Sequence, residues 1–282
     1  MSEQRRTADR AEQATPERPE PELEEAFDRL VEEGDTRLAR PWSALIATAL
    51  LGGIDVGTGV LAYLLVEHAT GQPLLAGLAF SVGFVALLLA RSELFTENFL
   101  VPVTAVAARR KSLGSLLRLW AVTLVGNLVS GWLLAWLIIT GLPGLSETAI
   151  ESGRFYADLG INLRSFVLAV LAGMVITLMT RMQHATGNLG VQLVPALLFG
   201  ALLAGGQLFH SVLDSIFMFG ALVTGHAPFG YLDWLGALGW SVLGNVVGGV
   251  GLVAFLRLVR VEHRLLRERA ERPRTIPRAA RS

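Results

Sequence analysis

Apolar residues in this chain run in long blocks separated by short polar stretches. Six blocks cover 43–66, 73–108, 114–141, 161–182, 189–224 and 230–256. A bilayer-crossing helix needs about 20 mostly apolar residues, so each block predicts a span. The second and fifth blocks are too long for one straight crossing, and each carries polar residues midway, at 93–98 and 205–211. Irregular backbone at membrane depth survives only when protein or a cavity surrounds it. Both stretches are therefore expected to be breaks that face each other at a central cavity. The expected fold is an all-α polytopic membrane protein with six transmembrane helices, two of them interrupted.

The flanks read differently. Residues 1–22 are rich in Glu, Arg, Pro and Gln, a composition that predicts disorder. Leu23, Phe27, Leu30 and Val31 then fall on one helical stripe. They predict a short amphipathic helix lying along the membrane or against a neighbour, with partner docking as the alternative. The domain plan is a charged cytoplasmic tail over 1–40, a six-span channel domain over 41–258, and a basic cytoplasmic tail over 259–282. That last tail reads as an anchor to anionic lipid rather than a nucleic-acid arm.

Charge sharpens the picture. The whole chain balances 24 basic against 24 acidic residues, yet residues 41–256 hold only 8 basic and 9 acidic ones. So few charges cannot cover a water-facing surface of that size, which excludes an ordinary soluble enzyme. With no cysteine, a disulfide-stapled domain is excluded too. The polar start is not expected to be a cleaved signal peptide. Arg37, Arg40, Arg109, Arg110, Lys111, Arg118, Arg181, Arg257, Arg260 and Arg264 gather at one set of loops. Glu67, Glu147, Glu151, Asp158 and Asp233 mark the opposite set. Basic excess marks the cytoplasmic side, so both termini are expected to be cytoplasmic in a bacterial-type inner membrane.

The halves echo each other. Gly126-Asn127 matches Gly244-Asn245, Leu94-Phe95-Thr96 matches Leu208-Phe209-His210, and Leu51-Gly52-Gly53 matches Leu171-Ala172-Gly173. The offsets are 118, 114 and 120. Three spans per half is an odd number, so the halves must be inverted, and inverted repeats place a substrate site near the midplane at broken helices. Asn127 and Asn245 are expected to tie broken backbone together rather than touch a substrate.

Ionisable groups at membrane depth are costly and mark function by default. Arg91 and Glu93 are expected to neutralise one another or a neighbour, and Asp55 to cap a broken helix. For Glu97 and Asn98, pore lining and capping both stand. Asp214 joins this group. His210 is the sharpest candidate, because a neutral imidazole in an apolar passage can donate a hydrogen bond and pass a proton. His68, His184, His226 and His263 lie at span ends or in tails and are expected to be solvated.

The ordered set Gly77-Leu78-Ala79-Phe80-Ser81-Val82-Gly83, Glu93-Leu94-Phe95-Thr96-Glu97-Asn98 and His210-Ser211, with the two Gly-Asn pairs, resembles the formate/nitrite transporter family. The Glu-Leu-Phe-Thr-Glu-Asn string is similar to its YfdC-like branch. The resemblance spans roughly 43–258 and implies an aquaporin-like protomer within a homopentamer, one pore per protomer, passing small monovalent anions or their weak acids. It implies that Thr96 and His210 meet at the centre. It also implies apolar constrictions at Phe80 and Leu203 on the outer side and at Phe84, Leu94, Phe95, Ile176 and Leu213 on the cytoplasmic side. Phe209, where the family often has a glutamate, joins the apolar set. Other departures are Asp214 for an asparagine, Gly173 for another, and no outer lysine, since Lys111 is this chain's only one.

The expected function is a channel or transporter for a formate- or nitrite-like anion. Protonation with His210 as donor or electrostatic partner would lift the cost of taking a bare anion past an apolar ring. Glu97, Asp214 and the missing lysine motivate the rival, a neutral-solute or cation pathway on the same scaffold. A non-conducting scaffold is a further class. No metal, nucleotide or redox cofactor motif and no catalytic constellation is visible, so neither an enzyme nor a cofactor is expected.

Overall fold

A computed structural model describes residues 21–271, and within them the backbone is helical with no strand. Of the predicted disorder at 1–22, residues 1–20 lie outside the described residues, as do 272–282, while Pro21 and Glu22 are helical rather than disordered. The first helix, α1 (Pro21–Leu38), is followed by α2 (Trp42–Thr70) and α3 (Pro73–Ala90). A break with a 3₁₀ turn at Phe95–Phe99 leads to the short α4 (Val101–Ala107) and then to α5 (Leu113–Gly141). Helix α6 (Ser146–Leu159) precedes α7 (Leu163–Gln183). A second break separates α8 (Leu189–Gly205) from α9 (Ser211–Val223). The last long helix is α10 (Tyr231–Arg260), with a π-helical stretch at Val247–Ala254, and α11 (Glu262–Glu271) closes the described chain.

Among the described residues, five helices, α2, α3, α5, α7 and α10, are long and apolar enough to cross a membrane. Helices α8 and α9 are apolar but shorter, at 17 and 13 residues. At about 1.5 Å per residue neither clears a core of about 30 Å with margin. The expected fifth span, the interrupted block 189–224, thus corresponds to α8 and α9 taken together, and the expected sixth to α10.

Large apolar side chains such as Leu74, Leu232, Leu163 and Leu198 stay exposed on the perimeter, as a lipid-facing surface requires. Lipid supplies no hydrophobic drive between helices, so close packing must hold them. The clearest close approach occurs twice. A Cβ at Gly53 would run into the Asn127 carbonyl, and one at Gly173 into the Asn245 carbonyl. Two glycines in α2 and α7 thereby let α5 and α10 cross at backbone contact, once in each half.

The N-terminal helix is not free. Phe27, Leu30 and Val31 are buried, against Ala108 and Leu265 on one side and against Leu100, Val101 and Ala254 on the other. Asp28 pairs with Arg264 at 2.9 Å, and Lys111 with Asp35 at 3.6 Å. Helix α6, which the sequence reading left within a loop, packs on α9. Its Tyr156 is buried between the rings of Phe209 and Phe217.

Candidate functional site

Two asparagines hold the two breaks open in the same way. Asn127 Oδ1 accepts the Phe95 amide at 2.9 Å, while its Nδ2 donates to the carbonyls of Ala49 at 2.7 Å and Glu93 at 2.8 Å. Asn245 Oδ1 accepts the Ser211 amide at 3.0 Å, and its Nδ2 donates to Ala169 at 2.8 Å and Phe209 at 2.9 Å. Both side chains are fully buried. Backbone that has left the helix ladder inside a membrane needs such partners, because no water can serve.

These bonds correct the repeat register at the breaks. Glu93 and Phe95 correspond to Phe209 and Ser211, an offset of 116 rather than 114. The left-handed residues agree, with Arg91 (φ 54°) opposite Gln207 (φ 48°). The Leu-Phe pairs in the two halves are therefore a coincidence of composition, two positions out of step with the backbone.

At the meeting of the breaks, Thr96 Oγ1 lies 2.7 Å from His210 Nε2, and neither residue is exposed. His210 also caps α9, its Nδ1 accepting the Leu213 amide at 3.1 Å. An amide N–H can donate only to an unprotonated ring nitrogen. The proton of the neutral imidazole therefore sits on Nε2 and is donated to Thr96 Oγ1, which leaves the threonine's own hydroxyl hydrogen free to point elsewhere.

On the α1 side the first break opens into a cavity of about 380 Å³. Its lining includes Glu33, Arg37, Arg40, Arg91, Glu97 and His184. Arg91 and Glu97, whose orientation sequence could not give, thus share this vestibule. Of the two alternatives for Glu93, pairing with Arg91 or with a neighbour, the structure shows the second. Buried Glu93 is ion-paired with Arg40 and lies 3.7 Å from Arg37, because α1 and the start of α2 fold back over the break. Glu33 holds Arg37 at 2.8 Å. Burial would raise the Glu33 carboxyl, but Arg37 overrides it and holds the group below the usual range. Burial would lower Arg37, and Glu93 and Glu33 outweigh that and raise it, so the guanidinium stays charged.

Asn98 belongs to the scaffold of this break. Its amide donates to the Leu94 carbonyl at 3.3 Å, its Oδ1 accepts from Arg37 at 3.4 Å, and its carbonyl accepts the Trp120 indole N–H at 3.0 Å. His184, expected to be solvated, is half-buried in the vestibule with Nδ1 2.8 Å from the Thr180 carbonyl. Burial first, then Arg37, holds its imidazole below the ordinary value.

The sequence profile described as Formate/nitrite transporter matches residues 24–259. The chain belongs to the formate/nitrite transporter family. It is 26% identical to the inner membrane protein YfdC of Escherichia coli (strain K12), over 88% of this chain and 84% of that protein. It is 25% identical to the formate channel BtFdhC of Bacillus thuringiensis, over 82% and 92%. Among solved structures, a pentameric formate channel with formate bound superposes with a TM-score of 0.63 at 21% identity, over 78% of this chain and 97% of that one. An FNT family ion channel superposes at 0.73 with 18% identity, over 83% and 98%. The family is one of membrane transport proteins, not enzymes, and the fold is theirs.

Within that family framework, Phe80, Phe84, Leu94, Phe95, Ile176, Leu203, Phe209 and Leu213 all lie in the main buried cluster. Phe80 and Phe84 meet edge to face, as do Phe95 and Phe99. Phe209 turns instead toward α6, stacked on Tyr156 at 6.2 Å. Asp214 is buried in the first turn of α9. Neither of its oxygens has a regular hydrogen-bond partner, though the His210 backbone lies alongside. Asp55 is half-buried near Ser92. Sequence reasoning missed Arg37, Arg40, Gln183 and Gln192 as vestibule residues. The sequence carried no signal for the arginines there, since Arg40 lies 53 positions before Glu93.

Proposed function

We propose that this protein passes a small monovalent anion of the formate or nitrite kind, or its conjugate acid, through each protomer of a homopentamer. The membrane is a bacterial-type inner membrane, with both termini on the cytoplasmic side. The carrying observation is the buried Thr96–His210 contact at the junction of two clamped breaks. On this reading Phe80 and Leu203, both in the main buried cluster, serve as apolar constrictions of the route. A bare anion loses its hydration there at a cost of several kcal/mol. A Thr96 hydroxyl free to donate, backed by the imidazole N–H, offers it one hydrogen bond, and a proton carried from the vestibule removes the charge altogether. Similarity to a formate channel and to a formate-bound pentamer supports both the permeant class and the assembly.

Glu97 in the vestibule supports a second reading, a neutral-solute or cation pathway. Reconstituted protein in a planar bilayer under a sodium formate gradient separates the two. A reversal potential set by formate, or electroneutral formate uptake that follows the pH gradient, is expected. A potential set by sodium would replace the first reading with the second.

A further inference from the structure

Several hydrogen-bond donors of the vestibule lack an acceptor. Arg37 and Arg40 are both committed to Glu93, and Arg37 to Glu33 as well. Arg91 lines the same cavity, and its guanidinium has no ion pair or hydrogen bond among the described residues. Two further lining residues point the same way. Gln183 and Ser92 are each only 5% exposed. The Gln183 amide nitrogen is buried without a partner, and the Ser92 hydroxyl has none in regular geometry, though the Asp55 carboxylate lies alongside. An unsatisfied buried donor costs about 1–3 kcal/mol, and an anion with two acceptor oxygens would satisfy the buried donors while pairing with the exposed Arg91.

The backbone adds an independent argument. Arg91 ends α3 in the left-handed region, at φ 54° and ψ 39°. Glycine takes that conformation freely, whereas a side chain there costs about 1 kcal/mol or more. Its repeat mate Gln207 carries no charge, so the cation is not demanded by the turn itself. The arginine stands where a glycine would fold more cheaply.

We propose that Arg91, Ser92 and Gln183 form a loading site for one monovalent two-oxygen anion, a carboxylate or nitrite, on the α1 side of the pore. This rests on the anion pathway proposed above and adds its charge selectivity. Arg37 and Arg40 are balanced by Glu33 and Glu93, which leaves Arg91 and Glu97 as the remaining opposite charges of the cavity. Glu97 and Glu33 line the same cavity and oppose a second negative charge on the ligand. Divalent carboxylates are therefore bound more weakly than monovalent ones.

The test uses the full-length chain in proteoliposomes of defined orientation, with sodium formate as the probe on the α1 face. Arg91→Gly is expected to raise the half-saturating formate concentration about tenfold, as loss of one charge-assisted hydrogen bond implies. It should raise this more than it lowers the maximum rate, and leave the thermal midpoint equal or higher. Gln183→Leu should shift half-saturation in the same direction. Excess oxalate should compete weakly in the unmodified protein. An unchanged half-saturation in Arg91→Gly, or oxalate competing as well as formate, overturns the site and leaves the pathway standing. If the unmodified protein moves no formate, the pathway falls and the site is read by ¹³C-formate line broadening on the detergent-solubilised chain. Broadening that Arg91→Gly abolishes upholds it, and no broadening in the unmodified protein overturns it.

Discussion

The two breaks share a frame and differ in chemistry. Each is clamped by an asparagine making three hydrogen bonds, and each follows a residue in the left-handed region. Yet the first break is acidic, with Glu93 and Glu97, and is tied down by arginines through Glu93 and Asn98. The second runs through Leu208 and Phe209 to a single imidazole. The repeat therefore fixes backbone geometry alone. Substituting side chains on an unchanged clamp makes one mouth polar and the other end apolar, which gives an inverted-symmetric fold an asymmetric route.

The largest expected effect tests the shared frame. Asn127→Ala strands the Phe95 amide and the Glu93 carbonyl, and Asn245→Ala strands those of Ser211 and Phe209. At about 1–3 kcal/mol per buried unsatisfied group, each variant should lose several kcal/mol and unfold far earlier in detergent. A mild effect in only one of them would break the equivalence of the clamps. Next comes the difference between breaks. Glu93→Gln leaves Arg37 and Arg40 without their buried anion, for about 2–4 kcal/mol after allowing for the part-exposed Arg40. Phe209→Leu, at the matching position, should cost about 1 kcal/mol. Equal losses in thermal unfolding would contradict the contrast. The smallest effect concerns pH. His184 titrates below its ordinary value, so it stays neutral from about pH 6.5 to 8. His184→Gln should leave the flux–pH profile over that range unchanged, and a profile that flattens would make this residue the vestibule's proton sensor.

Some of this was legible in the sequence and some was not. Block length and the polar residues midway gave the two interrupted helices, and the Gly-Asn pairs pointed to backbone ties. These signals are local, since a polar residue in an apolar block has few places to go. The pairing of Glu93 was not legible, because its partner Arg40 lies 53 positions earlier and comes close only after α1 folds over the break. His184 looked solvated for the same reason. Helix α6 carries the acidic residues of a loop, which hid the face it lays on α9. The two-position register slip arose because Leu and Phe recur often enough to imitate an alignment, whereas the clamps record where the chain turns. The π-helical stretch of α10 leaves no mark in a run of Val, Gly and Leu.

The central claim is that the two breaks meet to present one threonine hydroxyl, backed by one imidazole, to a passing anion. The most direct test is formate uptake into proteoliposomes across an inward proton gradient, comparing the unmodified protein with His210→Ala and Thr96→Val. The account predicts a fall of about tenfold or more in both variants, each removing one buried hydrogen bond on the route, with the response to the gradient lost in His210→Ala. Uptake in His210→Ala equal to that of the unmodified protein, at matched folding and reconstitution, would contradict it.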